Sequence, residues 1–290
     1  MLNFKKNFFL LICLLLSISS VIAAPASDIT KKNPINFSDI GTGPVLVLIH
    51  PFAVDSRFWN PQQPLTQKFR VITFDLWGFG LSSTTDGKAV TMEKYAMEVK
   101  QLLDQLHIEK AIIAGESMGG YVAIAFFKKY PTMVNGLVLS DTSSSADTPQ
   151  NKTLREKDAV GLIKNGSKYF IENYLPKLLS QSASDQSLMD LKALVNKQQP
   201  NGFASAIRGI AQREDTTDVL KRTSLPVLII TGSADAIISP DESKNMHKIT
   251  KNSQLIILDG AGHFSSFEQP DKWNQAVIDM FGDKTEGKVI

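Results

Sequence analysis

Ala111-Ile-Ile-Ala-Gly-Glu-Ser-Met-Gly-Gly120 runs from a short apolar stretch into a serine framed by glycines. The residues that follow, Met118 to Tyr130, read as a helix that stops at Pro131, because proline disfavours helix in the residue before it. Met118, Val122, Ile124 and Phe126 make that helix apolar nearly all round, which predicts burial under a sheet. A serine between strand and helix in the pattern G-x-S-x-G has a physical logic. The sharp turn holds it in a strained backbone conformation, so its neighbours must lack bulky side chains. Its hydroxyl then stands clear of the sheet, and the helix N-terminus offers N–H groups toward developing negative charge.

Working outward, further apolar runs flank this one: Val45–Ile49, Arg70–Phe74, Gly136–Leu139, Val227–Thr231 and Gln254–Leu258. Continuous rather than alternating runs suit strands buried on both faces of a parallel sheet. Between the second and third strands, Met92, Tyr95, Ala96, Val99, Leu102, Leu103 and Leu106 fall on one helical stripe. The expected class is therefore α/β, a mostly parallel sheet flanked by helices. Residues from about 141 to 222 break the alternation. They are polar and helix-prone, with Tyr169, Phe170, Tyr174, Leu178 and Leu179 as apolar anchors, and are read as an inserted helical cap.

A serine is a weak nucleophile without a base beside it. Histidines are few: His50, His107, His247 and His263. His107 ends an amphipathic helix and His247 lies in a late polar helix, so both are expected on the surface, whereas His50 is read as a structural hydrogen-bonding residue. His263 follows the last strand in Asp259-Gly-Ala-Gly-His263, and loops at the carboxyl ends of strands are where open α/β sheets assemble their sites. An acid must orient the imidazole. Asp235, after the Val227 strand, fits the chain order serine, acid, histidine. Asp141 also follows a strand and is the competing choice, while Asp75 is expected to brace the turn at Trp77–Gly80. Two backbone N–H groups should face the developing oxyanion: that of Met118, after the serine, and that of Phe52, since Pro51 has none to give.

The ends of the chain and its charge constrain the rest. Lys5 and Lys6 precede an apolar run, Phe8 to Leu16, followed by small residues through Ala24. That layout predicts a secretory signal over residues 1–24, cleaved near Ala23 or Ala24, ahead of one domain over 25–290. The apolar run is short of the roughly 20 residues a spanning helix needs, so no membrane span is expected after cleavage and the product is expected in the periplasm or secreted. The single cysteine, Cys13, lies within this signal, leaving the mature protein neither thiol nor disulfide. Net charge is +2 without long basic blocks, which argues against a nucleic-acid partner. No metal-ligand cluster is visible, and the expected chemistry needs neither metal nor organic cofactor.

Taken together, these motifs resemble the α/β-hydrolase superfamily, in its small esterase, lactonase and cofactor-free haloperoxidase branch. The resemblance runs from Ile35 to about Phe281. It rests on Gly41-Thr-Gly-Pro44, His50-Pro-Phe52, Asp75-Leu-Trp-Gly-Phe-Gly80-Leu-Ser82, the turn at Ser117, Pro226 to Asp235 and Gly262-His263. The wording around Asp55-Ser-Arg-Phe-Trp59 is similar to that of 3-oxoadipate enol-lactonases. The resemblance implies a serine hydrolase acting on a small-molecule ester or lactone through Ser117, His263 and Asp235. Lactone, C–C bond and perhydrolase chemistry use the same residues, and a ligand receptor on this fold is the alternative of another class. Two departures stand out: the common His-Gly-x loop is His50-Pro51-Phe52 here, and Glu116 precedes the serine. The Glu116 side chain is expected to point away from the site.

Overall fold

A computed structural model describes residues 34–282. Seven strands form one sheet: β1 (Phe37–Ile40), β2 (Val45–Ile49), β3 (Arg70–Phe74), β4 (Ala111–Glu116), β5 (Val134–Ser140), β6 (Val227–Gly232) and β7 (Ser253–Leu258), in the order β1-β3-β2-β4-β5-β6-β7. All neighbours pair in parallel except β1, which runs antiparallel to β3. Val47 of β2 lies between Ile72 of β3 and Ile113 of β4. Leu46 through Ile49 are fully buried, as a strand covered on both faces requires, and each such side chain contributes about 1.5–3 kcal/mol by leaving water.

The edge strands differ. On β7, Ile257 is exposed while Leu258 is buried. The four-residue β1 is the strand the sequence reading omitted. Phe-Ser-Asp-Ile carries no apolar run, and its last two residues are exposed. Tertiary pairing makes it a strand, with Arg70 on β3 donating to both Asp39 carboxylate oxygens at 2.9 and 2.7 Å.

Helix α1 (Met92–Gln105) starts at Thr91, whose hydroxyl accepts from the Lys94 N–H. Helix α2 (Met118–Lys129) is buried from Met118 through Phe126, matching its all-round apolar sequence. Between β5 and β6 the chain builds an insertion of helices: α3 (Pro149–Asn173), α4 (Asp185–Val195), α5 (Pro200–Ala211) and α6 (Thr217–Arg222). Gly166, at φ 56°, breaks α3 into two segments. After β6 come α7 (Pro240–Ile249), then β7, α8 (Ser265–Glu268) and α9 (Pro270–Phe281). The insertion is anchored by aromatic rings. Phe170 of α3 stacks on Phe203 of α5 and meets Phe52, beyond β2, edge-on with ring centroids 5.6 Å apart. Among the described residues, no helix is long and apolar enough to cross a membrane.

Because the central strands are parallel, the residues that follow them gather along one edge. His50, Asp75, Ser117, Asp141, Asp235 and His263 all lie there, each beyond the carboxyl end of a strand.

Candidate active site

Ser117 occupies the turn between β4 and α2 at φ 53° and ψ −115°, a region that costs a non-glycine residue about 1–3 kcal/mol. Neighbouring bonds hold it there: its N–H donates to the Ser140 carbonyl at 2.9 Å, and the Thr142 hydroxyl donates to its carbonyl at 2.8 Å. The glycines are explained by crowding. A Cβ on Gly115 would lie 2.1 Å from the Gly119 carbonyl oxygen, and one on Gly119 would lie 2.1 Å from that of Ile49.

The structure brings the serine, His263 and Asp235 together. The Ser117 hydroxyl lies 2.8 Å from Nε2 of His263, and Nδ1 of the same ring lies 2.8 Å from Oδ2 of Asp235. An ionised carboxylate only accepts, so Nδ1 carries the proton and Nε2 presents its lone pair to the Ser117 O–H. The other Asp235 oxygen accepts from the N–H groups of Ile237 and Ile238, at 2.8 and 2.9 Å, which fixes the plane of the carboxylate. His263 is 1% exposed, so bulk water does not compete for either ring nitrogen.

Asp141, the competing acid, bonds elsewhere. Its Oδ1 accepts from the Gly232 N–H at 2.8 Å, and its Oδ2 accepts from the hydroxyls of Ser265 and Ser140. Burial first, then the charge of Asp235, pushes its carboxyl up to about 7. Glu116 is fully buried and lies outside the cavity that Ser117 faces. Neither of its carboxyl oxygens has a hydrogen-bond partner. Burial first, then the neighbouring Asp141, raises its carboxyl well above the usual range. Beneath the serine and histidine lies a layer of buried acid that motif reading does not reveal; the only signal was the carboxylate at the end of an apolar strand.

His50 is fully buried, and burial lowers its pKa. Its Nε2 accepts from the Leu76 N–H at 3.0 Å, so Nδ1 bears the proton and donates to the Pro51 carbonyl at 2.9 Å. The ring thereby ties the loop after β2 to the loop after β3. Asp75 braces the following turn by accepting from Ser56 and Leu81 N–H groups, both at 2.9 Å. His107 and His247 are both exposed. Phe52 lines the same cavity as Ser117 and His263. Met118 is the first residue of α2, a position whose N–H has no acceptor within the helix.

The cavity over Ser117 has a volume of about 430 Å³. Its walls come from Phe52 in the loop after β2, from Tyr121 of α2, from α3 and the loop before it, from the stretch leading into α7 and from the loop after β7 that carries His263.

A sheet of this order with a strained serine at its centre has relatives. A family model described as the alpha/beta hydrolase fold matches residues 44–270. The chain belongs to the alpha/beta hydrolase family. It is 29% identical over 241 residues to 3-oxoadipate enol-lactonase 1 of Acinetobacter baylyi, covering 80% of this chain and 86% of that one. It is 27% identical over 263 residues to 2-hydroxy-6-oxononadienedioate/2-hydroxy-6-oxononatrienedioate hydrolase 1 of Pseudomonas putida, covering 85% and 91%. Among solved structures it is similar to a malate-bound thermophilic esterase from Thermogutta terrifontis, at 35% identity and a TM-score of 0.82, covering 84% of this chain and 92% of that one. This alpha/beta hydrolase is thus similar to proteins named for enol-lactonase, dienedioate hydrolase and esterase activities. Residues 1–24, over which a secretory signal is expected and which include Cys13, lie outside the described residues.

Proposed function

We propose that this chain is an exported serine hydrolase that cleaves a carboxylic ester through an acyl-enzyme. The observation that carries the reading is the continuous relay from the Ser117 hydroxyl through the His263 ring to Asp235, both links 2.8 Å long. Ser117 Oγ forms a bond to the acyl carbon as its proton passes to Nε2 of His263, and Asp235 stabilises the resulting imidazolium. The carbonyl oxygen becomes an oxyanion, held by the N–H groups of Phe52 and Met118. As the C–O bond to the alcohol breaks, His263 returns the proton to the leaving oxygen. Water, deprotonated by the same nitrogen, then opens the acyl-enzyme and releases the acid.

Lactone hydrolysis is the second reading, favoured by the identity to 3-oxoadipate enol-lactonase 1, since a lactone is an ester whose leaving alcohol stays attached. Export is supported by the Lys5-Lys6, apolar and small-residue layout of residues 1–24. A panel of p-nitrophenyl esters and lactones on the mature protein tests the chemistry. Turnover should fall by about 10⁶ in Ser117→Ala, and a retained rate would exclude Ser117 as nucleophile. The N-terminal mass of the secreted protein should correspond to cleavage near Ala23 or Ala24.

A further inference from the structure

Three charged residues of the cavity wall are used by none of the steps above. Asp147, before α3, is largely buried and accepts from two guanidinium groups. Arg155 of α3 engages both its oxygens, through Nε and through Nη2 at 3.3 Å. Arg213, beyond α5, approaches it at 2.9 Å. Arg213 is otherwise consumed by structure: it donates to the carbonyls of Ser145 and Ile210 and lies over the Tyr121 ring, 4.3 Å from its centroid. Arg155 is not. Among the described residues, the rest of its N–H fork meets no protein acceptor, and its side chain keeps 24% of its exposure in the cavity that Ser117 and His263 also line.

One carboxylate between two guanidiniums leaves a positive charge in a half-buried wall. Keeping that charge out of water is costly unless an anion completes the pairing. Glu242 also lines the cavity, but it accepts from the Ser143 and Ser145 hydroxyls and, among the described residues, makes no ion pair with either arginine. Glu116 does not line the cavity at all. A planar fork with free N–H groups matches the two oxygens of a carboxylate.

We infer that Arg155, backed by Arg213 and oriented by Asp147, selects substrates that carry a carboxylate in addition to the scissile ester, such as the half-esters of short dicarboxylic acids. This rests on the hydrolase reading of the site. Arg155 acts as a specificity-determining residue: the ester carbonyl meets Ser117 while the free carboxylate pairs with the guanidinium, within about 430 Å³.

The test compares kcat/KM for p-nitrophenyl hemisuccinate and uncharged p-nitrophenyl butyrate in the mature protein and in Arg155→Met and Arg155→Lys. The wild type should prefer the hemisuccinate. Arg155→Met should lower the ratio of the two values by about 10- to 100-fold, the range of a charge-assisted hydrogen bond, mainly through KM, and Arg155→Lys should recover part of it. An equal loss on both esters, or no preference in the wild type, overturns the inference. A second measurement does not depend on turnover: titration of Ser117→Ala with succinamate, whose amide replaces the ester, should give binding that weakens at least tenfold on adding Arg155→Met. Loss of turnover on both esters with that binding intact would count against the acyl-enzyme reading and not against the carboxylate site. Absence of binding would overturn the site.

Discussion

Asp141 and Asp235 follow adjacent parallel strands, yet of these two carboxylates only Asp235 hydrogen-bonds to His263, at 2.8 Å. The difference lies in what each carboxylate has already accepted. Asp141 spends its oxygens on the Gly232 N–H and on two serine hydroxyls. Asp235 spends one oxygen on two backbone N–H groups and leaves the other for the ring. Asp235→Asn should therefore lower kcat by about 10³–10⁴, as expected when the imidazole loses its tautomer. Asp141→Asn should cost less than about tenfold. Steady-state kinetics on a single p-nitrophenyl ester decides this, and the reverse ranking would make Asp141 the orienting acid.

The buried acid beneath the site predicts a pH-dependent stability. The Glu116 carboxyl is raised by burial and by Asp141, so the native state holds a proton that the unfolded chain releases near pH 4.5. The native state binds more protons over that window, and stability falls as pH rises from about 4.5 toward the raised folded-state value. Glu116→Gln keeps the shape and cannot ionise. Its melting temperature should exceed that of the wild type by several degrees at pH 8 and match it near pH 4. A constant difference at both pH values would contradict the argument.

Gly119 should tolerate no side chain. An added methyl would lie 2.1 Å from the backbone carbonyl oxygen of Ile49 and 3.0 Å from that of His50, backbone atoms rather than the end of a flexible side chain. Gly119→Ala is expected to cost about 3 kcal/mol and to displace Ser117 from His263. Denaturant unfolding reads the first effect. The rate of labelling by a fluorophosphonate, which reports how well Ser117 is activated, reads the second.

Phe170 links the helical insertion to the loop after β2. It is 1% exposed, stacked between Tyr174 and Phe203, and edge-on to Phe52. Phe170→Ala should remove about 3–5 kcal/mol of stability. It should also raise KM for short esters more than it lowers kcat, because the relay at Ser117 is built from other elements. Chemical denaturation and a Michaelis analysis at one pH check both parts.

Much of this was legible in the residues. The turn at Ser117 could be read because its glycines answer a purely local demand for space, and His263 because so few histidines compete for the role. Strands β2 to β7 announced themselves as continuous apolar runs. What escaped notice depended on contacts distant along the chain. Strand β1 exists through its pairing with β3 and through Arg70, and Phe-Ser-Asp-Ile has no periodicity to betray it. Gln198, in the insertion, donates to Asp55 at 2.6 Å and accepts from the Gly80 N–H at 2.9 Å; nothing local distinguishes it from any surface glutamine. The Arg155–Asp147–Arg213 cluster escaped for a related reason, since Arg213 reaches Asp147 only when the two ends of the insertion pack together.

The backward-bent backbone at Ser117 has a further bearing on how such a protein changes over generations. The Ser117 oxygen is aimed by glycines and strand ends, whereas the shape and charge of the cavity around it come largely from residues 141–222 and the approach to α7. Substitutions in that roof can retune which molecules enter while the bond-breaking hardware is inherited intact. Kinship within the family therefore speaks more clearly about the reaction than about the reactant.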